Sequence, residues 1–182
     1  MKERRNQMNN IIGGQPNSSV YAYLIQVQSL FSQYIQMKMQ LDILNNNLGR
    51  ANIAFDMLPT QQTLFSVQNA WSQKLSLMQQ LQQKVNEIII TLVEATKLSL
   101  IAMQRAISND DRVSIAINES AIASICSLVE QPQHMLFVKD LYKQYCITQN
   151  ISIQLNEIEF RARMLQLTIP NLNRLKVIVN GY

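Results

Sequence analysis

The chain has 182 residues, nearly half of them apolar, with a formal net charge of +4 and only four glycines and four prolines. That is enough apolar material for one buried core, and too little Gly and Pro for a fold of many short elements joined by turns. Charged residues are 15% of the chain against about 25% in an ordinary globular protein, while Gln and Asn together supply roughly a fifth.

Residues 1–17 read as a flexible arm. Lys2, Arg4 and Arg5 make it basic, and Gly13-Gly14 and Pro16 close it. Ser18 or Ser19 can cap a first helix, because a side-chain oxygen satisfies free amides of the opening turn. Apolar residues then recur three or four apart at Val20, Leu24, Val27, Phe31, Tyr34, Met37, Leu41 and Leu44, and onward through Leu48, Ala51, Phe55 and Leu58. The run Asn45-Asn46-Asn47-Leu48-Gly49 predicts a kink or a short break, since an interior Gly costs a helix about 1 kcal/mol relative to Ala. Pro59 predicts the stop.

Thr60 is the next cap, and a second helix is expected over Thr63–Ile107. Leu64, Val67, Trp71, Leu75, Met78, Leu81, Val85 and Ile88 set its apolar stripe, which continues to Ala106. Two such stripes joined by Leu58-Pro59-Thr60 imply an antiparallel hairpin, with Trp71, the only tryptophan, packed in its core near Gly49–Phe55. Ile35, Ile43 and Ile53, with Leu77, Ile89 and Leu100, lie beside or off the main stripes; the third and fourth helices can cover some of them, and any left uncovered need another chain.

The cluster Ser108-Asn109-Asp110-Asp111 ends the second helix and caps the third, Arg112–Glu130. Gln131-Pro132 breaks that helix. A fourth is expected from about Gln133 to Pro170, with a bend near Asn150, followed by a tail over 171–182 in which Val177-Ile178-Val179 is ambiguous between helix and strand. The fold class is therefore all-α: an elongated antiparallel bundle of about four helices over 18–170, built on the long hairpin.

No catalytic, cofactor-binding or metal-ligating set emerges. His134 is the only histidine and has no carboxylate three or four residues away. A di-metal bundle site would need a Glu-x-x-His motif, and a phosphate cradle would need the glycines and Lys that do not follow Gly13-Gly14. Cys126 and Cys146 lack a C-x-x-C spacing and read as buried free thiols. Lys84–Glu87, Glu94–Lys97, Glu157–Arg161 and Glu159–Arg163 sit at helical pair spacing and read as solvated ion pairs.

Asn17, Asn118 and Asn150 open N-x-S patterns, read as chance matches because no secretory leader is visible. The most apolar run, Ile88–Val93, is far short of the roughly 20 residues that span a bilayer. The basic residues at the two ends, among them Arg161, Arg163, Arg174 and Lys176, form no dense stripe for nucleic acid. The expectation is a non-enzymatic structural or assembly subunit with protein partners, self or heteromeric, made in the cytoplasm. Its assembly would be a virion, a phage particle or a secretion apparatus. The alternatives are a membrane-active helical protein meeting lipid through Ile88–Ile107, and a weak nucleic-acid-binding accessory protein.

Overall fold

A computed structural model describes residues 18–130 and 136–181, which are helical with no strand among them. Six helices follow in order: α1 (Ser18–Met57), α2 (Gln61–Ser108), α3 (Arg112–Val129), α4 (Leu136–Thr148), α5 (Ile151–Met164) and α6 (Pro170–Asn180). The arm over 1–17 and His134 lie outside the described residues.

α1 runs 40 residues without the break expected at Gly49. One interior glycine weakens a helix by about 1 kcal/mol. Leu44, Leu48 and Ala51 hold the same half-buried line on either side of it, and the asparagines face water, so nothing forces the backbone out. Pro59 does force it. Leu58 N–H still bonds Ala54 O at 3.0 Å, and the chain then turns. Thr60 and Thr63 cap α2 reciprocally: Thr63 N–H donates to Thr60 Oγ1 at 3.2 Å, and Thr60 N–H to Thr63 Oγ1 at 3.0 Å. Thr63 Oγ1 also donates to Leu58 O at 2.8 Å, tying the two helix ends together.

Asp111 caps α3 as its sequence position implies. Ser114 N–H donates to Asp111 Oδ1 at 3.1 Å and Ser114 Oγ to Oδ2 at 2.6 Å.

Beyond α3 the single helix expected from about Gln133 to Pro170 is two. Asn150 adopts φ 58°, the left-handed region that Asn tolerates better than most residues, and splits α4 from α5. Gln166 adopts φ 54°, and Leu167 N–H reaches back to Ala162 O at 2.8 Å, closing α5 with a Schellman-type bond. Pro170 therefore does not stop a helix. It opens α6, where its missing N–H is no loss and its fixed φ suits the first turn.

The segment expected as a tail is a core helix. Leu172, Leu175, Ile178 and Val179 are buried, and Gly181 at φ 84° terminates α6 with its N–H on Val177 O at 2.8 Å.

The chain divides into two compact units. One comprises residues up to Gln28 and from Ile89 to the end. Within it α6 packs on α3, α4 and α5, around fully buried side chains such as Leu92, Met103, Ile122, Tyr142 and Leu155. Leu100 and Ile89, which lie beside or off the main stripe in sequence, are buried here. The other unit is Ser29–Ile88, the later part of α1 and the earlier part of α2. Its buried residues are confined to Leu30, Phe31 and Tyr34 on α1, and to Leu77, Leu81, Val85 and Ile88 on α2.

Candidate assembly faces

In the Ser29–Ile88 unit, no residue from Ile35 to Ser76 is buried. Instead a half-buried line runs along α1 at Met37, Leu41, Leu44, Leu48, Ala51 and Phe55, as the sequence spacing predicted. On α2 the half-buried line is Thr63, Val67, Ala70 and Lys74, leading into buried Leu77 and Leu81. That differs from expectation. Leu64, Trp71, Leu75 and Met78 are 41–47% exposed and lie about 90° around the helix from that line. Thr63, Val67, Ala70 and Lys74 take the shielded positions over this stretch, and Leu64, Trp71, Leu75 and Met78 lie on the flank.

Trp71 is thus not a core residue. It is 47% exposed, and the Lys74 ammonium sits 5.0 Å from its ring centroid in a cation–π contact. Phe65 is more exposed still, at 68%. On α1, Ile35, Met39, Ile43, Ile53 and Met57 are all exposed, as expected for Ile35, Ile43 and Ile53. A groove of about 630 Å³ opens between the two helices of this unit, lined by Gln40, Ile43, Leu44, Ser72, Ser76 and Leu77. Its floor is apolar and its rim carries amides and hydroxyls, chemistry that suits a helix or an extended segment of another protein better than a charged metabolite.

The other unit offers little free chemistry. Tyr142 O–H and Thr96 Oγ1 lie 2.7 Å apart in the core, and Thr96 Oγ1 bonds Leu92 O at 2.8 Å. Burial pushes the Tyr142 phenol well above its ordinary pKa and pushes the thiols of Cys126 and Cys146 up to about 12. Such thiols stay protonated at neutral pH and are poor nucleophiles. Both are free and buried, as expected. Among the described residues no three His, Cys, Asp or Glu side chains converge to hold a metal ion.

Six ion pairs join charged residues among the described residues. Lys84–Glu87 and Lys97–Glu94 lie at 2.7 and 2.8 Å, matching the expected spacing, and Arg163–Glu159 at 2.6 Å. Lys176 also bonds Glu159, and Arg174 bonds Glu130. Three basic residues near the C-terminus thus share two carboxylates, Glu159 and Glu130, which leaves less charge for phosphate.

The segment offered for lipid contact is also occupied. Of the large apolar residues from Ile88 to Ile107, only Ile90 and Ile101 are exposed. Among the described residues one helix, α3, is long and apolar enough to cross a membrane, with a mean hydropathy of 1.3, but half of it is buried inside the fold.

Comparison with protein-family models, curated proteins and solved structures gives no match.

Proposed function

We propose that this chain is a structural or assembly subunit without catalytic chemistry, which packs through exposed helical faces into a larger protein complex. One observation carries the reading: residues 35–76 contain no buried residue, yet ten large apolar side chains there are exposed. Helices of this composition have little reason to stay extended in water unless another surface covers them. Within Ser29–Ile88 the finer arrangement we propose is an antiparallel hairpin, its two half-buried lines packed on each other and its outer flanks left for partners. Virions, phage particles and secretion apparatuses are the kinds of assembly to which such a subunit belongs.

Light scattering across a concentration series tests this. A defined species heavier than the 20.9 kDa chain is expected. A variant carrying Phe65→Gln, Trp71→Gln and Met78→Gln, at exposed positions on α2, should keep its circular dichroism and lose mass. A wild-type protein that stays monomeric at every concentration, with Trp71 fluorescence always that of a wet indole, would falsify self-assembly through these faces.

A further inference from the structure

The outward face of α1 has a symmetry of its own. Ile35, Met39, Asp42, Asn46, Arg50, Ile53 and Met57 are all exposed, and at about 100° per residue they fall within about 80° of arc. This face lies on the side of α1 away from the half-buried line of Met37 to Phe55. The steps between its members are 4, 3, 4, 4, 3 and 4 residues, the same read in either direction from Asn46. The chemistry is mirrored too. Apolar residues lie at both ends, an acid stands four residues before the centre, and a base stands four residues after it.

We propose that this face is the interface of a two-fold symmetric dimer in which α1 of one copy lies antiparallel to α1 of a second, with the dyad at Asn46. In that register Ile35 meets Met57, Met39 meets Ile53, and Asp42 meets Arg50 of the other copy, each contact occurring twice, as an isologous interface requires. Among the described residues neither Asp42 nor Arg50 has an ion-pair partner within its own chain. A parallel pair in register would set each charge against its own kind. The antiparallel pair matches both.

At the dyad two Asn46 amides face each other, and each can donate and accept, so a polar residue at the centre fixes register. Gly49 lies one turn away. Nothing in its own chain comes within 4 Å of where its Cβ would be, so intrachain packing does not demand a glycine that weakens the helix. A partner backbone approaching close to the crossing point supplies the reason.

The strip is about 33 Å long at 1.5 Å per residue. At about 10 Å wide it covers roughly 330 Å² per copy, below the about 800 Å² per partner of a standing complex. The dimer is therefore a weak one, populated at high concentration or within a larger assembly. This inference deepens the assembly reading and rests on it.

Two experiments on the full chain test it. The first is diamide oxidation at high protein concentration of Asn46→Cys and, beside it, Asn47→Cys, which points about 100° away on the same helix. Asn46→Cys should give a disulfide-linked dimer much faster, since a residue on the dyad meets its own copy. The second is a charge exchange read by sedimentation. Asp42→Arg alone and Arg50→Asp alone should each weaken association roughly 3- to 10-fold, as two exposed pairs turn repulsive. The double variant should restore it, and all three should keep wild-type circular dichroism. Equal cross-linking at the two cysteines, or no rescue in the double variant, overturns the dyad while an oligomer that persists leaves the assembly reading standing. A monomer at every concentration overturns the dyad and self-assembly together, and leaves packing against a different protein.

Discussion

The two units of this chain solve the same problem in opposite ways. Around α3 to α6, short helices close over one another until even threonine, serine and asparagine are buried: Thr96, Ser99 and Asn118 are fully enclosed. Each of the three donates to a carbonyl one turn back in its own helix, at 2.8 Å in every case. Between Ile35 and Ser76, by contrast, no residue is buried, and each of two helices has a single half-buried line. Two cylinders meeting along a line can each shield one stripe, whereas a helix with three neighbours is shielded on most of its circumference. Apolar content alone does not make a core. The number of neighbours does.

That contrast can be broken or sharpened by experiment. The largest expected effect is chemical. With pKa values of about 12, Cys126 and Cys146 should present thiolate at about one part in ten thousand at pH 8, against about a quarter for an ordinary thiol. Labelling by a thiol reagent should be negligible in the native protein and should reach two equivalents in denaturant; fast native labelling of either would show that the α3–α6 unit opens readily.

Next come core truncations. Leu92→Ala or Ile122→Ala should each cost about 2–5 kcal/mol in chemical denaturation, whereas Leu48→Ala on the half-buried line should cost about 1 kcal/mol or less. Similar losses at the two places would erase the distinction between the units.

Acid should act on the α3–α6 unit. The Glu159 carboxyl is held below its usual range by its bond to Lys176 and by Arg163, and Asp111 by its hydrogen bonds to Ser114. Both groups bind protons less readily folded than unfolded. Their contribution is therefore present above the ordinary carboxylate range of about 4 and is lost as pH falls below it through the lower folded values. The Tm drop from pH 5 to pH 3 should be smaller in Glu159→Gln than in the wild type.

The smallest effect is expected at Gly49→Ala. The space is open and the backbone helical, so the monomer should gain about 0.5–1 kcal/mol. A loss instead would mean that the glycine serves a contact inside its own chain.

Much of this architecture could be read from residue order. The ends of α1 and α2, the Thr60 and Asp111 caps, the half-buried line from Met37 to Phe55 and the buried thiols all follow from signals local to a few turns. The differences share another cause. A propensity deficit of about 1 kcal/mol at Gly49 does not end a helix whose remaining turns agree. Asn150 marks a bend in the sequence, but only its left-handed backbone makes that bend a full break, and nothing in the sequence marks Gln166 as a terminator as Gly would. Proline punctuates both ends of helices, and only the packed α6 says that Pro170 opens one.

The stripe of α2 marks the boundary between the two kinds of information. Sequence alone determined that Thr63–Ile107 would be helical and amphipathic, because periodicity is a property of one chain segment. It did not determine which way that helix faces. Its rotation depends on what the opposing surface admits, and the inner positions of α2 went to Thr63, Val67 and Ala70 while Leu64, Trp71 and Met78 stayed outside. Periodicity is fixed by one segment, whereas the stripe that is shielded is fixed by whatever surface lies against it, which exists only in the tertiary structure.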